Sequence, residues 1–382
     1  MITERKWIPT FLKPVIRFIY YPQERARVFR ESKIRKLQDD KIHQRNSSGK
    51  KLIIFLVEGA DFDTGTERIS GGIISIVSLC QESEKLKSIH GAEVLLCTFP
   101  KQRLLMKHTQ FKNDVDVFRF DQLKNYFTST SEILVHVPEY LCAHFISLHI
   151  QDELSWLKKM NLLHINILNQ NIQLMPSVDD VKLLKNYATT LTITTAHQQY
   201  CTLLYRQLYT VPLHKFSVWI SPEKYDYKTY TQKQNLMIVS PDGHPSKAAI
   251  LAKLARIPGL RLQVIQNLTY EKYKETISDA KWALTFGEGL DGYLIESIFS
   301  GAIGFTVYNE EFFTPDFKFL TTIYQSSEEL STKIVETILQ LDNHDYFCDY
   351  QKMQFRLCAK YYSQMEYQAN IVAFYKKEYT YV

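Results

Sequence analysis

A chain of 382 residues with 45% hydrophobic content can bury sizeable cores, and its length points to two domains rather than one. Its longest uninterrupted apolar stretch, Leu52 to Val57, is far short of the roughly 20 residues a membrane-spanning helix needs, which excludes a helical span. The formal charge of +5 divides unevenly: thirteen Lys or Arg against five Asp or Glu in residues 1–50 make +8, leaving 5 − 8 = −3 for the rest, so the positive charge is an arm on a nearly neutral body.

In that arm, Trp7, Ile8, Phe11, Leu12, Val15, Ile16, Phe18, Ile19, Tyr20 and Tyr21 alternate with Lys6, Lys13 and Arg17, and a second basic stretch runs from Arg25 to Arg45. Aromatics suited to a headgroup zone and cations suited to anionic lipid make residues 1–45 a candidate membrane-surface segment. Pro9, Pro14 and Pro22 argue against one continuous helix. The other reading is an arm packed on its own protein or on a second subunit, which would make a homodimer. Nucleic acid is not expected as a partner, because the basic stretch matches no reading motif and the body supplies no positive field. The amino terminus lacks the apolar core and cleavage site of a secretory signal, so the expected location is cytoplasmic, with peripheral attachment to the inner face of the membrane if the arm binds lipid.

Residues 46–51 form a polar linker, and alternating apolar strands and helical patterns follow. Strands are predicted at Leu52–Val57, Glu93–Thr98, Val115–Phe120, Ile133–Val137, His164–Leu168, Leu191–Thr195 and Phe216–Ile220. Gly71 and Gly72 open a helix carrying Ile73, Ile76, Val77 and Cys80, and further helical patterns cover Val178–Tyr187 and His197–Tyr209. Such alternation predicts a doubly wound parallel sheet. Residues 221–235, rich in Tyr, Lys and Gln, read as a linker. The pattern then restarts with the strand Leu236–Ser240, the loop PDGHPSK, a helix from Ser246 to Ile257 and the strand Leu260–Gln266. The predicted layout is therefore an arm (1–50), a first Rossmann-like domain (51–220), the linker, a second such domain (236–345) and a helical tail (346–382). The six cysteines show no close pairing and are expected to be reduced, mostly in the core.

Residues 281–308, KWALTFGEGLDGYLIESIFSGAIGFTVY, read as strand, glycine-bearing loop, short helix and strand. Leu294, Ile295, Ile298 and Phe299 recur at helical spacing before Gly301 stops the helix. In a parallel crossover unit, ligands sit beyond the carboxyl ends of the strands and oxyanions meet the helix N-terminus. Glu288 lies in that loop and Glu296 in the helix, seven residues between them and both off the apolar stripe, so both carboxylates can face one ligand.

This spacing resembles the Glu-seven-residues-Glu signature of the retaining GT-B glycosyltransferases, metal-independent enzymes built from two facing Rossmann-like domains with a cleft between them. The resemblance implies an α/β GT-B fold and a nucleotide diphosphate-sugar as donor substrate. It puts Glu288 on the donor sugar and Glu296 on the nucleotide ribose, with backbone amides of Gly289, Leu290, Asp291 and Gly292 near the sugar and diphosphate. It likens Gly71 and Gly72 to a glycine-rich first loop, and has the tail cross back to the first domain. It also supports a basic residue in the loop after the first strand of the second domain, where Lys247 could neutralise a leaving diphosphate. The arginine usual six residues earlier is replaced by Pro241, so His244 is the further candidate there. His136, at the end of its strand, matches a histidine that contacts the donor sugar, and Asn169, Gln170 and Asn171 could offer amides to sugar hydroxyls. Asp61 with Asp63, and Asp114 with Asp116, mimic an Asp-x-Asp metal motif, but three-residue patterns arise by chance and no metal is expected. The implied activity is transfer of a sugar, with retention, to a glycan or lipid-linked acceptor in bacterial surface polysaccharide synthesis. The alternatives are a nucleotide-sugar epimerase on the same fold and a non-catalytic glycan-binding or scaffolding protein.

Overall fold

A computed structural model describes residues 13–45, 49–58, 71–99, 116–146, 151–266 and 268–382. Strands β1 (Lys51–Glu58), β2 (Glu93–Phe99), β3 (Val117–Arg119), β4 (Glu132–Pro138), β5 (Leu162–Asn169), β6 (Thr190–Thr195) and β7 (Leu213–Lys215) form one sheet, in the order β3-β2-β1-β4-β5-β6-β7. Strands β8 (Gln234–Val239), β9 (Arg261–Val264), β10 (Ala280–Leu284), β11 (Ile303–Val307) and β12 (Ile323–Tyr324) form the other, ordered β12-β11-β10-β8-β9. The pairings of β1 with β2 and β4, of β2 with β3, and all those of the second sheet are parallel. Parallel strands are covered on both faces, which is why β1 reads as the unbroken apolar run Leu52 to Val57, buried throughout.

The chain divides into two compact units, residues 1–166 with 182–190 and residues 167–181 with 191–382. This division cuts β5 and falls well before the expected linker at 221–235. In the first unit the core is built on β1, β2 and β4, with Ile76, Leu79 and Cys80 of the helix Gly71–Lys85 buried over them.

Within residues 1–45 of the arm, residues 13–45 are the described part. They form two helices, Lys13–Tyr20 and Pro22–Ile42, broken where Tyr21 is extended and Pro22 takes the first helical position. The end of the second helix is built into the first unit. Ile42 is buried, Gln38 Nε2 donates to the carbonyl of Val117 at 3.0 Å, and Lys41 pairs with Asp116 at 2.6 Å. Arg45 meets Glu84 and Glu93 at 3.3 and 3.2 Å, and Asp39 accepts from Arg119 and Gln122. Asp116 therefore serves an ion pair; Asp61, Asp63 and Asp114, like Trp7 and Phe11, lie outside the described residues.

In the second unit, Trp282 of β10 is fully buried with its indole N–H donated to Asn235 Oδ1 at 3.1 Å. The helix Gly292–Phe299 packs beside β10 and β11, and Gly304 of β11 admits it closely: a methyl group there would collide with Leu294. Gln354, on the helix His344–Tyr361, is wholly buried; it bonds both the N–H and the carbonyl of Gly304 at 2.9 Å and Thr322 Oγ1 at 2.7 Å. After a last helix, Gln364–Tyr375, Tyr381 forms an antiparallel bridge with Leu213 of β7, bonded in both directions.

Candidate functional site

The loops that leave β8, β10 and β11 at their carboxyl ends meet in the second unit, as parallel winding requires. Ser240 follows β8 and accepts the N–H of Phe286 on its Oγ at 3.1 Å, tying the loop after β8 to the loop after β10. Gly287 fits closely against Asp242: a Cβ there would lie 2.9 Å from Asp242 Oδ2, a buried oxygen without a hydrogen-bond partner. Gly289 takes φ +86, and a Cβ would meet Phe313 at 2.6 Å and the Val307 carbonyl at 2.9 Å, so glycine is required on both conformational and steric grounds.

Asp291 is the N-cap of the helix Gly292–Phe299. Its Oδ1 accepts the N–H of Leu294 at 3.0 Å, while its Oδ2 accepts the Thr285 hydroxyl at 2.5 Å. Burial raises its carboxyl to about 7, against the pull of those two donors. Its side chain is thereby committed to the helix start. Leu290 is buried in the apolar core, so a ligand role for it rests on backbone alone.

Glu288 is half-buried, and its Oε1 accepts Nδ2 of Asn171 at 2.6 Å. Burial lifts its carboxyl above the usual range, the Asn171 amide opposes this, and Asp242 adds to it. Asn171 also caps the short turn Ile172–Leu174 by accepting the N–H of Gln173 at 2.9 Å. One asparagine thus fixes a turn and orients a glutamate. Asn169 is buried, with its Oδ1 lacking a partner.

Glu296 is 6% exposed and sits directly behind Gly292, whose Cβ would lie 2.8 Å from its Oε1. Tyr270 donates to its Oε2 at 3.3 Å, the Tyr225 hydroxyl also bonds it, and the two hydroxyls are 3.4 Å apart. Burial raises this carboxyl to about 8, with the two tyrosines pulling the other way. Sequence spacing alone suggests an open carboxylate here; the structure has a covered one with two hydroxyl partners.

Lys247 starts the helix Lys247–Leu254 and turns its ammonium back onto its own loop, donating to the carbonyls of Ser240 at 2.6 Å and Asp242 at 2.8 Å, 5.6 Å from the Phe286 ring centre. It locks the loop after β8 instead of extending freely. His244 stacks on Phe286, accepts the Ser246 N–H on Nδ1 at 3.2 Å, and so carries its proton on Nε2, 3.2 Å from Ser327 Oγ.

Two predicted features belong to the first unit. His136 has no exposed surface; its ring lies flat on Phe55 at 4.2 Å, with Nδ1 bonded to Asn166 Nδ2 at 3.0 Å. Burial holds it far below its ordinary pKa, so it is a neutral core histidine and not an open sugar contact. Gly71 and Gly72 do open the helix Gly71–Lys85, and among the described residues a methyl group on Gly71 would meet nothing within 4 Å. Among the described residues, no three His, Cys, Asp or Glu side chains gather as metal ligands.

The residues that sequence reasoning missed are the partners: Tyr225 and Tyr270 on Glu296, and Asp242 and Thr285 around the loop. Tyr225, Tyr270 and Asp242 reach the loop through tertiary packing and carry no local signal, while Thr285 lies only six residues before Asp291.

No protein-family model and no curated protein matches the chain. Solved structures do. An alpha-glucosyltransferase in complex with UDP-glucose and DNA containing an abasic site aligns with a TM-score of 0.53 at 12% identity, over 85% of this chain and 99% of that one. Sucrose-phosphate synthase from Thermosynechococcus elongatus gives 0.53 at 10% identity, over 86% and 99%. HepE from Anabaena in complex with UDP gives 0.51 at 9%, over 86% and 100%. At such identity the likeness is one of fold: this chain has the two-domain, Rossmann-like α/β fold of the GT-B glycosyltransferases.

Proposed function

We propose that the chain is a retaining glycosyltransferase that moves a sugar from a nucleoside diphosphate donor to a glycan or lipid-linked acceptor, in the assembly of a bacterial surface polysaccharide. The observation that carries this reading is the pairing of Glu288 and Glu296 across one glycine loop at the carboxyl end of β10, each held by its own polar partner. A carboxyl oriented by an amide donor suits hydrogen bonding to sugar hydroxyls, and one behind the first turn of a helix suits ribose hydroxyls. The first turn of the helix Gly292–Phe299 has N–H groups beyond the one that Asp291 takes, and these favour a diphosphate. Lys247 adds positive charge at the loop after β8, where it would counter the charge that grows on the departing diphosphate. The solved neighbours that contain UDP or UDP-glucose make uridine nucleotides the first to try.

The test is calorimetry with UDP, GDP and ADP, followed by transfer assays with the matching nucleotide sugars. A nucleoside diphosphate should bind, and Glu296→Ala should weaken it by about 1 to 3 kcal/mol through lost hydrogen bonds. Product anomers read by NMR should keep the donor configuration. A folded protein that binds none of the nucleotides overturns the reading, and inverted products overturn the retaining mechanism.

A further inference from the structure

The second helix of the amino-terminal region has two faces with different work. Gln38 and Ile42 are buried in the first unit, as described above. At about 100° per residue, Arg25, Phe29, Lys33 and Lys36 fall within about 80° of one another on the opposite side. All four are exposed, Phe29 by 66%, and Arg30 and Leu37 flank them, also exposed. Asp40 is the acidic residue on that side. The preceding helix, Lys13–Tyr20, adds exposed Val15, Ile19 and Tyr20, and the rings of Phe18 and Phe29 are 6.0 Å apart, which joins the two helices into one patch.

A soluble helix normally turns its large apolar groups inward; here they stand outward among cations. The combination fits an anionic bilayer surface, where lysine and arginine meet headgroups while phenylalanine, isoleucine and tyrosine enter the interface. Charge complementarity selects this occupant, because residues 13–37 hold eight Lys or Arg against two Glu, or +6, leaving 5 − 6 = −1 for the rest of the chain. No helix among the described residues is long and apolar enough to cross a membrane, so the contact is one of lying on the surface. We infer that residues 13–37 dock the protein on anionic lipid, while residues 38–45 fasten that docking element to the first unit. This inference is independent of the glycosyltransfer reading.

The test uses the full chain in vesicle flotation, with neutral phosphatidylcholine vesicles and vesicles that also contain phosphatidylglycerol. Two variants are compared: one with Arg25, Arg30, Lys33 and Lys36 all changed to Gln, the other with Ile19, Phe29 and Leu37 changed to Ser. These positions are exposed, and unchanged melting of both variants checks the fold. The wild type should float with anionic vesicles and barely with neutral ones. At about fivefold per basic residue, the Gln variant should lose affinity by about a hundredfold or more. The Ser variant should keep low-salt binding but lose the part that survives about 0.5 M salt. Equal flotation with both vesicle types, or an unchanged Gln variant, overturns the proposal. So does tighter binding to duplex DNA or RNA than to the anionic vesicles, or burial of the patch in a solution dimer that the Ser variant dissociates.

Discussion

Replacing Glu296 with glutamine tests whether the carboxyl behind Gly292 holds a proton at neutral pH. Burial moves it from 4.5 in a solvated chain to about 8 in the fold. At about 1.4 kcal/mol per unit, that displacement corresponds to roughly 3 to 5 kcal/mol. The folded state binds this proton more tightly than the unfolded one, so the associated stability is complete below about 4.5 and is lost as pH rises through about 8. Glutamine has no proton to lose, keeps the shape, and still offers an oxygen to the hydroxyls of Tyr225 and Tyr270. Wild type and Glu296→Gln should therefore melt at similar temperatures near pH 5 and diverge above it, the variant becoming the more stable. For a unit of this size, about 2 to 4 °C per kcal/mol predicts a gap of roughly 10 °C near pH 8. Differential scanning calorimetry across that range decides the matter. A gap that does not change with pH would mean that Glu296 is ionised throughout, and the burial argument would fail.

Gly289→Ala should destabilise the second unit by about 2 to 4 kcal/mol, because the positive φ and the contacts with Phe313 and Val307 leave a methyl group no place; thermal melting measures it. Asn171→Ala removes the donor that holds the Glu288 carboxyl down, so the acid limb of a transfer pH profile should move to higher pH, and an unmoved limb would detach Glu288 from the rate. Lys247→Ala should lower turnover more than donor affinity, and should also cost about 1 to 2 kcal/mol of stability through the two carbonyls it leaves unbonded. EDTA should leave the wild-type rate intact; a rate abolished by EDTA and restored by magnesium or manganese would argue against leaving-group stabilisation by side chains and helix alone.

Five strands of the first sheet were legible, β1 and β2 as unbroken apolar runs and β4, β5 and β6 as apolar residues interrupted only by His136, by His164 and Asn166, and by β-branched threonines, and all five fall within a residue or two of expectation. The seventh did not: Phe216 to Ile220 is apolar, yet the strand is Leu213–Lys215. Ser217 adopts φ +70, which takes the chain out of extended geometry, while Phe216 and Ile220 are apolar because they pack in the core. The helical pattern from His197 to Tyr209 is in fact interrupted, since Thr202 caps a new helix by accepting the Tyr205 N–H. Periodicity records burial and is blind to such a restart. At the candidate site, the glycine loop and its two glutamates could be read from adjacent residues. The settings of those glutamates could not: the bond from Asn171 to Glu288 spans 117 residues and that from Tyr270 to Glu296 spans 26. The sequence also shows His136 at a strand end without showing that Phe55, its neighbour in the parallel register, covers the ring.

The bridge between Tyr381 and Leu213 has a consequence for solubility. β7 is an outer strand of its sheet, and an open outer strand offers unpaired amides and carbonyls to any other extended chain. Tyr381 occupies both backbone groups of Leu213, His214 accepts from Thr380 and meets the Asn370 carbonyl, and Lys215 pairs with Glu366. The residues around Tyr381 therefore act as a cover that denies this rim to self-association. A chain clipped after residue 378 would keep the glycine loop and both glutamates, and would be expected to aggregate through β7 at concentrations where the intact chain stays dispersed.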